Sequence, residues 1–365
     1  MQKGRPLNNL DHYGANERQY QEASLYPEYH LARVVSQHKG LYRIATGEKE
    51  FLSALSGKLS ASVSDPLSLP VVGDFVMVDR LTDEGGQGVI HSILTRRSLF
   101  TRAAAGTSHQ SQAIAANIDY AFLCMSLNEN FNLRRMERYL SVAYASGAVP
   151  VAVLTKADVS ENAGALKAEV EGIAFGADVV VTERTDEAAC KQLMAYLTPG
   201  KTGSFIGSSG VGKSTLINVL YGGERMETSG IRADGKGRHT TTHRELTVLP
   251  SGGIVIDTPG MRELGAESVD LERSFADIEA LAAECRFSDC THKNEPGCAV
   301  QRAIREGQLD EKRLESYFKL KREAKYDGLN AKKLESEKLN AMFQNVGGMK
   351  NMRKFVREND KRNGR

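Results

Sequence analysis

The segment that decides the fold class is IGSSGVGKST, residues 206–215, which fits the phosphate-binding loop pattern G-x-x-x-x-G-K-[ST]. It follows an apolar run and opens the helical sequence KSTLINVLYG, the context that the motif requires. Glycines let backbone N–H groups converge on phosphate oxygens, Lys213 can reach the terminal phosphates, and Ser214 can ligate Mg²⁺. A glycine-rich turn that contains GKS by chance is the competing interpretation. We predict a nucleotide-binding loop formed by Gly207, Ser208, Ser209, Gly210, Val211, Gly212, Lys213, Ser214 and Thr215.

Two segments downstream have the composition of a magnesium and γ-phosphate site. In VIDTPG, residues 255–260, Asp257 ends an apolar run and can hold Mg²⁺ through water, and Gly260 lets a backbone N–H approach the γ-phosphate. In GKGRHTTTH, residues 235–243, a threonine can ligate Mg²⁺ when the γ-phosphate is present. Thr241 is the preferred ligand and Thr240 the alternate. An ordinary polar loop is the competing interpretation of the threonine run.

A base-reading loop is predicted upstream, in VAVLTKAD, residues 151–158. Asp158 can accept hydrogen bonds from the N1–H and the exocyclic amine of guanine, which adenine cannot supply. The stem of Lys156 can pack against the base plane. Thr155 stands where most GTPases have asparagine, and we include it among the nucleotide-binding residues. A strand-end turn with a solvated lysine and aspartate is the competing interpretation.

The order of these motifs is the reverse of the usual one, because the base loop precedes the phosphate loop. In a parallel α/β sheet all ligand loops lie at the carboxyl ends of the strands. Nucleotide binding therefore depends on where the loops lie in space and not on their order in the chain. Both motifs can bind the nucleotide if the chain of an ordinary GTPase is cut elsewhere and its old ends are joined. We predict a circularly permuted P-loop GTPase domain of the α/β class.

The pattern of apolar and polar residues changes on both sides of this domain. Short apolar runs broken by Gly, Pro and Asp precede it and predict an N-terminal OB-type β-barrel. Apolar runs then alternate with amphipathic helical segments, which predicts a parallel sheet covered on both faces. The sequence AGTSHQSQAIAAN, residues 105–117, is predicted to link the two. The predicted divisions are a flexible leader (1–28), the barrel (29–104), the GTPase domain (105–273), a zinc-binding helical domain (274–330) and a basic tail (331–365).

Four potential metal ligands cluster in CRFSDCTHKNEPGC, which reads C-x4-C-x-H-x5-C. Three thiolates and one imidazole match a tetrahedral structural zinc site with no open position for catalysis. A disulfide-prone pair plus a free cysteine is the competing interpretation, which a cytoplasmic setting disfavours. The predicted ligands of one structural Zn²⁺ are Cys285, Cys290, His292 and Cys298.

Composition and charge favour a protein that does not span a membrane and that binds a polyanion. The 365 residues are 41% hydrophobic, and no apolar run approaches membrane-spanning length, so we expect a cytoplasmic protein without a membrane partner. Residues 301–365 carry 18 lysines and arginines against 10 aspartates and glutamates, whereas residues 1–300 carry 30 against 36. A basic tail on an acidic body indicates a polyanionic partner. We expect the chain to be a monomer.

The combination of motifs resembles one known family. The sequence resembles the ribosome small-subunit-dependent GTPases of the RsgA (YjeQ/YloQ) family. The resemblance rests on the permuted order of the motifs, on GSSGVGKST, GRHTTTHREL and IDTPGMREL, and on their position after a β-barrel and before a Cys/His cluster. The resemblance covers roughly residues 30–330 of this sequence. It implies an OB-fold, a permuted GTPase domain, a zinc domain at the Cys/His cluster, and a role in late assembly of the small ribosomal subunit on rRNA.

The expected activity is Mg²⁺-dependent hydrolysis of GTP to GDP and phosphate that times binding to and release from the small subunit. Met261 follows Gly260 where many GTPases have a water-orienting glutamine, and a thioether cannot orient water. His239 is the nearest candidate and matches a family position proposed for that role, whereas a switch-loop histidine without a catalytic part is the competing interpretation. The alternative functions are a nucleotide-gated RNA-binding scaffold in which hydrolysis is incidental, and an ATPase.

Overall fold

The computed structural model describes residues 9–38, 40–63, 65–103, 111–183, 187–223, 244–257 and 270–325. The strands are β1 (His30–His38), β2 (Leu41–Ala45), β3 (Glu50–Leu55), β4 (Phe75–Val78), β5 (Gly88–Ile93), β6 (Leu99–Ala103), β7 (Ser111–Ala116), β8 (Tyr120–Ser126), β9 (Val149–Thr155), β10 (Asp178–Val181), β11 (Thr202–Ile206), β12 (Glu245–Val248) and β13 (Ile254–Asp257). The helices are α1 (Glu17–Ala23), α2 (Gly57–Ser62), α3 (Leu133–Ser146), α4 (Ala163–Glu171), α5 (Glu187–Tyr196), α6 (Lys213–Tyr221), α7 (Leu271–Ser274), α8 (Ala276–Ala283), α9 (Ala299–Arg305) and α10 (Glu311–Lys325). Short 3₁₀ helices occupy Asn9–Tyr13, Pro66–Ser68 and Ala157–Val159.

The first five strands form a closed barrel in the order β1-β2-β3-β5-β4, and β4 returns to pair with β1. The β3–β5 pair is parallel, and the other pairs are antiparallel. Successive side chains point to opposite faces of each strand, so every second residue faces the barrel interior. The fully or nearly fully buried interior residues are Ala32, Val34, Tyr42, Ile44, Phe51, Val76, Val78 and Ile90. The predicted OB-type barrel is confirmed.

A second group of six strands forms the GTPase sheet, in the order β10-β9-β8-β11-β13-β12. All its pairs are parallel except β12–β13. Phe122 and Cys124 of β8 face the buried side chains of α5 and α6, whereas Leu123 and Met125 face those of α3 and α4. The sheet is therefore covered on both faces, as the continuous apolar runs predict. It continues into the barrel through one antiparallel pair between Ser36 of β1 and Glu245 of β12.

The prediction of a flexible leader is wrong for residues 9–28. Asn16 caps α1 and forms a capping box with Gln19. Leu10 is fully buried and packs in a cluster with Phe75 of the barrel. These apolar contacts join the leader to residues far along the chain, which local composition cannot reveal. The predicted linker also differs in part, because its residues 111–116 form β7, which pairs with β6.

The C-terminal helices α7 to α10 enclose a small core of their own around Phe275 and Tyr317. Arg313 of α10 anchors this core to the GTPase domain. Its guanidinium donates to Asp277, to the carbonyl of Ser274, and at 2.9 Å to Glu137 of α3. Arg313 and Glu137 are both buried, so either charge would be costly without the other. Among the helices that the structure describes, none is both long and apolar enough to cross a bilayer.

Candidate nucleotide-binding and metal sites

The phosphate loop lies where β11 ends and α6 begins, as its motif predicts. Gly207 has a φ of 156°, and a Cβ there would lie 2.5 Å from the carbonyl oxygen of Cys124 on the neighbouring strand β8. Gly212, with a φ of 100°, is the residue before the first turn of α6. Both positions need glycine, the first for the close approach and the second for the left-handed backbone. The loop therefore delivers backbone N–H groups at a helix N-terminus, where an anion is favoured.

Lys213 and Asp257 place opposite charges beside this loop. The Lys213 ammonium donates to the carbonyl oxygens of Gly207 at 2.6 Å and Ser208 at 2.7 Å. Asp257 ends β13, which is the parallel neighbour of β11, so both side chains lie at the same edge of the sheet. Burial raises the pKa of Asp257, and the positive charge of Lys213 opposes part of that rise. Asp257 therefore lies close enough to the phosphate loop to feel the charge of Lys213.

The base loop follows β9, two strands away from β11. Lys156 has a left-handed backbone with a φ of 61°, and the chain then makes the 3₁₀ turn that carries Asp158. The Asp158 side chain is exposed. The N–H of Ala157 donates to the carbonyl of Thr182, so the end of β10 supports the base loop.

Thr155 is a predicted site residue whose hydrogen-bond partner could not be read from the sequence. Its side chain is buried, and its hydroxyl donates to the carbonyl of Val211 in the phosphate loop at 2.7 Å. The motif thus brings Thr155 to the site, but on the protein side of the phosphate loop. The remaining predicted residues, His239, Thr240, Thr241 and Gly260, lie outside the described residues.

The Cys/His cluster comes together between α8 and α9. The sulfur atoms of Cys285 and Cys298 are 3.9 Å apart, and each lies 3.6 Å from Nδ1 of His292. With Cys290 included, all four ligand atoms lie within 4.8 Å of one another. A tetrahedral Zn²⁺ with Zn–S bonds of about 2.3 Å requires neighbouring sulfur atoms about 3.8 Å apart. The donor set and its spacing therefore fit a structural zinc ion.

Two polar residues that the motif does not include hold the loop of this cluster. Glu295 accepts hydrogen bonds from the backbone of Thr291, Lys293 and Asn294 and from the Thr291 hydroxyl. Gln301 of α9 donates to the carbonyl of His292 at 2.7 Å. These contacts order the loop between the second and fourth ligands. The polar composition of this loop does not by itself predict these hydrogen bonds.

Comparison with known proteins places this arrangement in a family. A sequence model of the RsgA GTPase family matches residues 93–267. The chain is 45% identical to the small ribosomal subunit biogenesis GTPase RsgA 2 of Lactiplantibacillus plantarum, over 88% of this chain and 91% of that protein. The chain belongs to the RsgA GTPase family. It is therefore a GTPase, and the sequence resemblance is confirmed.

Two solved structures of RsgA-type proteins support the permuted architecture. YjeQ from Thermotoga maritima is 29% identical, with a TM-score of 0.60 over 81% of this chain and 98% of that one. YloQ, described as a circularly permuted GTPase, is 25% identical, with a TM-score of 0.57 over 81% of this chain and 95% of that one. The reversed order of base loop and phosphate loop is thus a property of the RsgA fold, and the prediction of a circular permutation is confirmed.

Proposed function

We propose that this RsgA-type chain uses Mg²⁺ to hydrolyse GTP to GDP and phosphate, and that hydrolysis times its binding to and release from the small ribosomal subunit. The observation that carries the proposal is the meeting of the base loop and the phosphate loop at one edge of one sheet. Relatives named small ribosomal subunit biogenesis GTPases support the choice of partner. The chain acts as a monomer in the cytoplasm, and GTP and GDP are its small ligands.

In the proposed nucleotide site, different loops bind the base, the phosphates and Mg²⁺. Asp158 and Lys156 hold guanine, and the backbone N–H groups of the phosphate loop hold the phosphates together with Lys213. Bound Mg²⁺ would neutralise charge on the terminal phosphates. Ser214 and Thr241 are its proposed direct ligands, and Asp257 is placed to act through water.

The proposed rRNA contacts lie toward the C-terminus. The excess of lysine and arginine after residue 300 favours a polyanion and predicts affinity that falls with salt. Arg286 stacks over the exposed ring of Phe287 next to the Cys/His cluster, which offers a cation and an aromatic face together. The division into leader, barrel, GTPase, zinc and tail regions at residues 28, 104, 273 and 330 remains part of the proposal.

The decisive experiment measures GTP and ATP turnover with and without isolated small ribosomal subunits. We expect slow hydrolysis of GTP alone and an increase of several hundred-fold or more with subunits, because a switch needs its partner to complete the site. ATP turnover should stay at background in both conditions. GTP turnover that subunits leave unchanged would favour the scaffold with incidental hydrolysis, and equal turnover of ATP would favour an ATPase.

His239→Ala separates chemistry from binding in the same assay. We propose His239 as the residue that orients the attacking water, because Met261 cannot do so. The variant should keep GTP affinity within a few fold and lose roughly 10²-fold in subunit-stimulated turnover, the usual scale for a general base or water-orienting group. It should also stay bound to the subunit longer in co-sedimentation. Undiminished turnover would move the role to His243 or to an rRNA group.

We further propose that Cys285, Cys290, His292 and Cys298 hold one structural Zn²⁺. Cys285→Ser or Cys298→Ser should lose about one equivalent of zinc and destabilise residues 274–325 selectively, because metal binding supplies folding free energy to such a small core. Metal analysis and hydrogen exchange measure the two effects. Cys124→Ala is the matched control, since this buried cysteine of β8 lies outside the cluster and its loss should leave the zinc content unchanged. Wild-type protein without zinc would refute the assignment.

A further inference from the structure

A buried arginine lies where the barrel meets the GTPase sheet. Arg33 stands between Ala32 and Val34 of β1, whose side chains fill the barrel interior, so its own side chain leaves the barrel on the outer face. It is only 1% exposed. Its guanidinium donates to neutral oxygen atoms from four segments of the chain, which are the carbonyls of Tyr13, Gly73 and Asn117 and the hydroxyl of Thr202. A buried charge is costly, so these hydrogen bonds are needed to hold it.

One of these hydrogen bonds reaches the strand that carries the phosphate loop. Nη2 of Arg33 donates at 3.0 Å to Oγ1 of Thr202, the first residue of β11. Thr202 is also 1% exposed, so water cannot replace the guanidinium. β11 ends directly before Gly207 of the phosphate loop, which at a rise of about 3.3 Å per residue lies roughly 16 Å further along the strand. Arg33 thus holds the end of β11 that is opposite to the proposed nucleotide site.

The backbone of Thr202 is fixed by contacts within the GTPase domain. Its N–H donates to a carboxylate oxygen of Asp119 at 2.9 Å, and its carbonyl accepts from the N–H of Asp119 at 2.8 Å. The strand then pairs in parallel with β8 on one side and with β13 on the other. Arg33 therefore acts on a strand that the sheet holds along its length.

The leader completes the junction. A Cβ at Gly14 would lie 2.8 Å from Nη1 of Arg33 and 2.7 Å from the carbonyl oxygen of Gly200, so the leader, the arginine and the turn before β11 meet without space for a side chain. The Tyr13 hydroxyl donates at 2.8 Å to Glu50 of the barrel. The leader therefore contacts the barrel and the GTPase domain together.

We propose that Arg33 is a positioning residue that couples the barrel to the nucleotide site without touching the nucleotide. Nucleotide binding at one end of β11 stabilises the barrel at the other end. By thermodynamic reciprocity, a barrel held on the small subunit then acts on the nucleotide site. The inference rests on the proposed binding of guanine nucleotide and of the small subunit.

Hydrogen exchange with and without GDP measures this coupling in the purified full-length chain. A ligand protects every amide that becomes exposed only when its binding site unfolds. In the wild-type chain, GDP at about 100 times its dissociation constant should slow exchange about 100-fold in β1 and β4 as well as in β8 and β11. Arg33→Met keeps the length of the side chain and removes its donors. Exchange in β1 and β4 should then slow by no more than about tenfold, whereas β8 and β11 keep the full effect.

Substitutions on β11 separate this hydrogen bond from a general loss of stability, and they decide the question if Arg33→Met does not fold. Thr202→Val deletes only the acceptor and should reduce the protection of the barrel by at least about threefold. Thr202→Ser keeps the hydroxyl and should retain wild-type protection. Ser204→Ala is the matched control, because it removes a buried hydroxyl from the same strand that donates at 3.0 Å to Ile256 inside the GTPase sheet. It should leave the protection of the barrel unchanged.

GTP turnover measures the same coupling from the side of the small subunit. Without subunits, Arg33→Met and Thr202→Val should stay within about threefold of the wild type, because both residues lie far from the phosphate loop. With subunits, turnover should fall about tenfold, which is within the usual range of a coupling between two sites. Ser204→Ala should retain the stimulation.

Full protection of the barrel by GDP in folded Arg33→Met and Thr202→Val would overturn the proposal, since the junction would then be structural only. Equal losses in the barrel and in β8 and β11 would also overturn it, because the substitutions would then act on the GTPase domain itself. The same would follow if Thr202→Ser lost as much protection as Thr202→Val, or if GDP protected only the GTPase strands of the wild-type chain. A wild-type chain in which GDP protects neither domain is a separate result, which would refute the proposed nucleotide site.

Discussion

Replacement of Lys213 by alanine is expected to abolish detectable GTP hydrolysis in a protein that remains folded. The ammonium group lies 2.6 Å and 2.7 Å from the carbonyl oxygens of Gly207 and Ser208, so it is held against the backbone of the proposed phosphate-binding loop. Negative charge develops on the transferred phosphoryl group, and a fixed cation beside it is the main stabilising element that the chain itself supplies. We expect turnover to fall by at least about 10³-fold, with and without small ribosomal subunits.

The fold should tolerate this change because Lys213 is the first residue of α6 and is only partly buried. Lys201→Ala is the matched control. Lys201 precedes the same strand β11 at its opposite end, where its exposed ammonium lies 3.6 Å from the largely buried carboxylate of Asp119. Single-turnover hydrolysis and circular dichroism are measured for both variants. Near-normal turnover by folded Lys213→Ala would remove the phosphate loop from the mechanism.

The elements that the sequence predicts best are those governed by local rules. The apolar runs of β8, β9 and β11 are buried on both faces, which is typical of parallel strands that alternate with amphipathic helices. The phosphate loop is predictable because its glycines, at a fixed spacing, occupy positions whose backbone conformation or close approach favours glycine. The Cys/His cluster is predictable for a similar reason, since the metal geometry restricts residue type and spacing together.

The features that the sequence did not predict depend on contacts between distant segments. Arg33 is an example, because β1 alone gives no reason to bury an arginine. Its guanidinium donates to the carbonyls of Gly73 and Tyr13 and to the hydroxyl of Thr202, so it joins the barrel, the leader and the GTPase sheet. Burial lowers the pKa of Arg33 to about 9. The ordered leader follows from this same junction, which only the assembled fold creates.

Within the candidate site, the sequence did not predict how a buried side chain next to the base loop is bonded. Thr155 illustrates the limit. The motif places it beside the proposed base-reading residues, yet its rotamer depends on where the Val211 carbonyl lies, 56 residues further along the chain. Circular permutation makes this harder, since the two loops are neighbours in space and follow each other in the reverse of the usual order. Pairwise geometry of that kind has no signature in composition or periodicity.

Asp158→Asn tests the proposal that the loop after β9 reads guanine. The carboxylate can accept from both N1–H and the exocyclic amine of guanine, and hydrogen bonds to a charged acceptor contribute about 1.5–3 kcal/mol each. Asparagine retains one acceptor and turns a donor toward the guanine amine. We therefore expect GTP affinity to fall by about 10²-fold.

The same substitution should improve the binding of xanthosine triphosphate. Xanthine carries an oxygen at C2, which accepts from the new amide while N1–H still donates to its carbonyl. Glu161→Gln is the matched control, because this exposed acid lies three residues away and its neutralisation changes the local charge equally. Competition between GTP and xanthosine triphosphate in equilibrium binding measures the switch. Unchanged preference for GTP in Asp158→Asn, as in the control, would show that another loop reads the base. A reversed preference would establish that the strand end fixed by Thr155 and Thr182 presents the base-reading carboxylate, although it precedes the phosphate loop in the chain.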